Sequence, residues 1–155
     1  LKTIISFKGL QHRLQKIFQN KEILVINDSK ATNLSSAIKS IESFKNIHLI
    51  MGGILKNKNL KEMYKLKKRI KKIYLIGESS DYIYDRLANM FSCEKCFNMK
   101  NAVKSCKSNI PKSDFSTILL APACSSFDQY SSFEDRGKDF IKNIKKYFMI
   151  KKNAK

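Results

Sequence analysis

The sequence predicts an α/β domain in which a mostly parallel sheet carries helices on both faces and an antiparallel strand at one edge. Three observations lead there. Apolar runs recur at 23–26, 47–51, 73–76 and 117–120, short, continuous and rich in Ile, Leu and Val, as strands buried on both faces are. Segments of helical period separate them, which argues for parallel strands joined by right-handed crossovers. Polar loops follow three of the runs, and Rossmann-like folds bind ligands there, outside the carboxyl ends of their strands.

Each element follows from its own pattern. Residues 12–19 alternate loosely, with Leu14 and Ile17 among Gln and Lys, and are expected to pair with 23–26 through a turn at Asn20-Lys21. Leu34, Ala37, Ile38, Ile41 and Phe44 form one apolar helical stripe, and Leu60, Met63, Tyr64 and Ile70 a second. Ile83, Leu87, Met90 and Phe91 make a third. A weaker helix is read near 99–107, and Phe140, Ile141, Ile144, Tyr147 and Phe148 mark the last. A short strand is expected near 96–98, and the tail Lys151–Lys155 is expected to fray. No repeat, low-complexity linker or Pro/Gly-rich boundary interrupts the chain, so 1–155 reads as a single domain.

Composition narrows the function classes. The net charge of +18 invites nucleic-acid binding, yet arginine, the residue suited to bidentate phosphate and base contacts, stands only at 13, 69, 86 and 136. The lysines are spread along the chain, densest at 65–72 and 142–152, and no nucleic acid is expected as partner. No segment has the apolar length of a membrane span, and Leu1–Phe7 lacks the long apolar core and cleavage site of a signal peptide. A cytoplasmic monomer without membrane contact is expected. The chain opens on Leu1 rather than Met, and it is expected to be a piece of a longer protein. Cys93-Glu94-Lys95-Cys96 has the spacing of half a zinc site, but nothing completes it, so reduced structural cysteines and no metal are expected.

Several motifs are missing. Glycine occurs only at 9, 52, 53, 77 and 137, which excludes the dinucleotide fingerprint, the P-loop and the nucleophile elbow. What remains is three polar loops, Asn27–Asn33, Gly52–Lys56 and Ala121–Tyr130. On parallel strands all three open on one edge. The cleft between them would hold Lys30, Thr32, Lys56, Ser125 and Ser126, a set suited to a small dianion such as a dicarboxylic amino acid. Plainer roles fit the same residues. Asp28 suits an Asx-turn, Thr32 or Asn33 a helix cap, Ser125 and Ser126 a turn cap, and Phe127 and Phe133 a core. Lys56 also reads as a solvated lysine, His48 as a buried strand histidine, and Arg13 as a candidate phosphate contact.

The wording of these loops is specific. Gly9-Leu10-Gln11-His12-Arg13, the run Asn27-Asp28-Ser29-Lys30-Ala31-Thr32-Asn33, Gly52-Gly53 with Lys56, and Pro122–Tyr130 followed by Phe133-Glu134-Asp135-Arg136-Gly137 occur in order over nearly the whole chain. Together they resemble the C-terminal domain of the Mur ligases, in the branch that adds D-glutamate. The resemblance implies an ATP-dependent ligase of peptidoglycan synthesis, in which UDP-N-acetylmuramoyl-L-alanine is activated as an acyl phosphate and attacked by the amine of D-glutamate. This domain would admit D-glutamate. ATP and Mg2+ would sit mainly on a central domain outside this chain, and the chain alone would be inactive and bind neither. By position, the resemblance assigns Thr32, Lys56, Ser126, Phe127 and Phe133 to D-glutamate, and Arg13, Asp28 and Lys30 to the nucleotide. It assigns no residue a catalytic role.

Departures are Gln11 for a proline, Ala121 for a common serine, and apolar Ile54-Leu55, which leaves the choice between Lys56 and Lys58 open. Two other readings compete: a folylpolyglutamate-synthase-type domain accepting L-glutamate, and a basic nucleic-acid-binding module without catalytic activity.

Overall fold

The computed structural model describes residues 10–149. The tail 151–155, the segment Leu1–Phe7 and Gly9 lie outside the described residues. Among the described residues, six strands form one sheet in the order β1-β2-β6-β3-β4-β5. They are β1 (Gln15–Gln19), β2 (Ile23–Asn27), β3 (Ile47–Gly52), β4 (Ile70–Ile76), β5 (Cys93–Phe97) and β6 (Ser116–Leu120). β1 runs antiparallel to β2, and every other pairing is parallel. The expected edge pairing is therefore present. Its turn is closed by Asn20, whose side-chain oxygen accepts from the backbone N–H of Glu22 and of Ile23, both at 2.8 Å.

Among the described residues four α-helices cover the sheet: α1 (Leu34–Glu42), α2 (Ser80–Leu87), α3 (Met99–Asn109) and α4 (Phe133–Ile144), the last continued by a π-helical turn over Lys145–Met149. Both faces of the sheet are dry. Leu49, Met51, Ile73, Leu75 and Leu119 pack with Leu34, Ala37, Ile41, Ile83 and Leu87 on one face. Alternate residues Val25, Ile50, Tyr74, Ile76, Ile118 and Leu120 pack with Val103, Cys106, Phe140 and Ile144 on the other. Burial on both faces is why these strands read as unbroken apolar runs.

One element departs from the expected pattern. Leu60, Met63, Tyr64 and Ile70 do not share an α-helix. Residues Lys61–Leu66 form a 3-10 helix, and Ile70 already opens β4, opposite Ile47. Three residues per turn align Leu60, Met63 and Leu66, all buried, on one side, and leave Tyr64 exposed. β5 also begins earlier than expected, at Cys93.

The four cysteines are free. Burial pushes the Cys93 and Cys124 thiols up to about 11 and Cys96 to about 12, so these three stay protonated at neutral pH. Among the described residues no helix is long and apolar enough to cross a membrane. Among them, too, no three His, Cys, Asp or Glu side chains converge as a metal site.

Candidate functional site

β2, β6 and β3 are neighbours and parallel, so their following loops lie side by side at the carboxyl edge of the sheet. Backbone hydrogen bonds fasten them. Asp28 N–H donates to Leu120 O at 2.9 Å, Ala123 N–H to Ala31 O at 2.9 Å, and Gly52 N–H to Pro122 O at 3.0 Å. Ile54 and Ser125 exchange a pair of such bonds at 3.0 and 3.1 Å. The double glycine makes this approach possible. Gly52 and Gly53 have φ of +130° and +134°, and a Cβ on Gly53 would lie 2.2 Å from Ser125 O.

Arg136, only 1% exposed, holds two of these loops together from the first turn of α4. Its Nε donates to Ser29 Oγ at 3.0 Å, Nη2 to Ser29 O at 2.8 Å and Nη1 to Cys124 O at 3.0 Å. No carboxylate pairs with it among the described residues. Burial lowers its pKa to about 10, which still leaves the guanidinium charged at neutral pH. Behind it, burial holds the His12 imidazole below its usual value. The ring packs on Gly137, where a Cβ would lie 2.1 Å from Nδ1, and that nitrogen accepts from Asn27 Nδ2 at 2.9 Å.

A cavity of about 430 Å³ opens beside this network, lined by Arg13, Leu14, Asp28, Lys30 and Ala31 from the loops and by Ser36, Lys39, Ser40 and Ser43 from α1 and its end. The three residues expected at a nucleotide, Arg13, Asp28 and Lys30, thus share one cavity. Asp28 is buried, and its oxygens accept from Leu14 N–H at 3.1 Å and from the Ser40 hydroxyl. Its carboxylate fixes the cavity wall. The serines at 36, 40 and 43 and Lys39 carry no motif, and their helical spacing, opposite the apolar stripe, is the sequence signal for them.

The other expected set lies along the same edge, outside that cavity. Asn33 rather than Thr32 caps α1, its side chain accepting from Ser36 N–H at 2.9 Å, which leaves Thr32 half-buried at the rim. Ser126 is buried, and its carbonyl accepts from Gln129 and Tyr130 N–H at 3.1 and 2.9 Å. Lys56 is exposed, two residues beyond the Ile54–Ser125 bridge. Phe127 is no core residue, being 70% exposed. Phe133 is half-buried, with Lys30 Nζ 5.8 Å from its ring centre, so one contact links the two sets. Asp128, Gln129 and Tyr130 tie the loop down, to Glu78 N–H at 2.8 Å, Phe97 O at 2.7 Å and Asp139 at 2.7 Å respectively. The edge as a whole offers exposed ammonium groups, rim hydroxyls and anchored loop amides, a surface for an anionic ligand.

A scan against protein-family profiles gives no match. Curated sequences do match. The chain is 40% identical over 144 residues to a UDP-N-acetylmuramoylalanine–D-glutamate ligase of Wolbachia sp. subsp. Brugia malayi, covering 92% of this chain and 29% of the relative. It is 41% identical over 142 residues to the enzyme of that name in Dinoroseobacter shibae, covering 92% and 30%. A solved structure of UDP-N-acetylmuramate–alanine ligase from Thermotoga maritima superposes with a TM-score of 0.57 at 14% identity, over 90% of this chain and 31% of that one. This last likeness concerns the fold alone. The chain spans about 30% of the length of the curated relatives it matches. Over nine-tenths of its own length, it is similar to one segment of the UDP-N-acetylmuramoylalanine–D-glutamate ligases.

Proposed function

We propose that this chain is the amino-acid-accepting, C-terminal domain of a three-domain ligase that joins D-glutamate to UDP-N-acetylmuramoyl-L-alanine in peptidoglycan synthesis. The observation that carries the reading is the Asn27–Asn33 loop, fastened by its backbone and by Arg136 to the Ala121–Ser126 loop at the edge where parallel sheets bind ligands. The named relatives supply the chemistry.

In this reading Thr32, Lys56, Ser126, Phe127 and Phe133 receive the two carboxylates of D-glutamate. Lys56 contributes charge and the anchored loops contribute backbone N–H groups. Arg13 and Lys30 meet the nucleotide phosphates from the neighbouring cavity, with Lys39 adding positive charge, while Asp28 keeps Arg13's segment and α1 in register. ATP and Mg2+ are held mainly by parts of the protein outside this chain. The contribution of this domain is position. Holding the amine of D-glutamate against an acyl phosphate supplies about 7–11 kcal/mol of the barrier reduction through orientation, and closure excludes the water that would hydrolyse the intermediate. Carbonyl and amine then form a tetrahedral intermediate that expels phosphate. Activity as a cytoplasmic monomer completes the proposal.

The test uses the complete ligase that carries this sequence. Lys56→Ala should raise the KM for D-glutamate by about 10- to 100-fold, the effect of one charge-assisted bond, while the KM for ATP stays within about twofold. An unchanged KM for D-glutamate would move the role to Lys58 or remove it. Turnover with L-glutamate in place of D-glutamate would favour the folylpolyglutamate-type reading.

A further inference from the structure

The inner face of α4 packs Arg136, Gly137, Phe140, Asn143 and Ile144 against the protein. Its outer face carries a single stripe. Lys138, Ile141, Lys142, Lys145, Lys146 and Met149 recur at helical spacing along the helix and its π-helical continuation, and the first five line a concavity of about 480 Å³. All four lysines are exposed. Only Lys138 approaches a carboxylate among the described residues, Asp135 at 3.9 Å. The stripe runs roughly 16 Å at 1.5 Å per residue. Cations near a helix carboxyl terminus complement its dipole, which accounts for Lys145 and Lys146. It does not account for Lys138, about two turns nearer the amino end, or for the alignment of all four on one face.

We propose that this face is a docking surface for a bilayer rich in anionic phospholipid, independently of the proposed function above. Three features select that partner. The cations are all lysine, mobile point charges suited to a diffuse anionic surface rather than to bidentate base or phosphate recognition. Half-buried Ile141 and exposed Met149 lie within the stripe, where they meet the acyl boundary once the ammonium groups reach the headgroups. Lysines at a negatively charged leaflet bind it additively, within a Debye length. α4 meets the carboxyl edge through its first turn, Phe133 and Arg136, whereas the stripe begins at Lys138 and follows the outer face, so docking there leaves the ligand site open.

The test is flotation of the 155-residue chain with vesicles of phosphatidylcholine alone or with about 30% phosphatidylglycerol, at about 0.1 M salt, where screening lengths are near 10 Å. The chain should float with the anionic vesicles only. The variant Lys138→Gln/Lys142→Gln/Lys145→Gln/Lys146→Gln should weaken that binding at least about tenfold. A control of equal charge, Lys61→Gln/Lys65→Gln/Lys68→Gln/Lys71→Gln, should weaken it less than about threefold, with circular dichroism confirming that both variants are folded. Equal loss in the two variants would overturn the proposal by assigning binding to net charge. So would failure of the wild-type chain to float with anionic vesicles. Tighter binding of an RNA duplex than of vesicles, lost in the α4 variant, would overturn it in favour of nucleic acid.

Discussion

At the carboxyl end of the sheet, His12, Asn27, Asp28, Ser29 and Arg136 are all buried, and each makes a side-chain hydrogen bond to another segment of the chain. Towards the amino end, His48 and Tyr74 are buried with one bond between them, Nδ1 to the phenol at 2.8 Å, and His48 Nε2 has no partner. Both ends exclude water, but they differ in what burial accomplishes. At the carboxyl end polar groups set the positions of loops that no apolar contact could aim, as a preorganised site requires. At the amino end the imidazole serves as packing. Burial, with Lys72 and Lys71 adding to it, drives its pKa down to about 4, so it is neutral under ordinary conditions.

The contrast can be broken at either end, and the largest effect is expected where the loops cross. Gly53→Ala puts a methyl group on Ser125 O at a φ that alanine resists, and should lower unfolding free energy by about 3 kcal/mol or more in urea titration. A wild-type urea midpoint would mean that the loops are not locked as described. Arg136→Met should follow, at about 2–4 kcal/mol, because Ser29 O and Cys124 O lose their donors. Arg136→Lys, which keeps the charge and loses the fork, should recover only part of it.

His48 distinguishes the other end by its pH dependence. Its folded pKa lies below the ordinary 6.5, so the unfolded chain binds a proton that the folded one refuses between pH 6.5 and about 4. Stability should therefore fall as pH falls through that window, by about 2–3 kcal/mol from His48, and the fall should shrink in His48→Leu to the part that buried His12 contributes. An unchanged slope in the variant would place the titrating group elsewhere. The smallest effect belongs to the exposed member of the site. Lys56→Ala should change stability by less than about 0.5 kcal/mol, and its consequence should appear only in the KM for D-glutamate.

The legible parts were those written in local pattern. Four of the strands were visible because both sheet faces are dry, and the Gly52-Gly53 pair because positive φ has few other solutions. The 3-10 helix at Lys61–Leu66 is not legible because Leu60, Met63 and Tyr64 satisfy an α-helical period as well, and only the pairing of Ile70 with Ile47 ends the ambiguity. In the sequence Arg136 is a motif letter without a task. Its partners lie on loops 107 and 12 residues away in sequence, and no local rule relates them. Thr32 and Asn33 were interchangeable as caps until the Asn33–Ser36 bond separated them.

Side-chain order along the chain was enough to determine the fold class, the strand and helix alternation, and the three loops that share an edge, because burial and backbone preference act over a few residues. Tertiary structure alone decided which polar groups hold those loops, that Arg13, Asp28 and Lys30 border one cavity, and that the α4 lysines align outward. Those outcomes depend on which segments meet across the sheet, and hydrogen bonds acting over about 3 Å cannot be assigned before the segments are in contact.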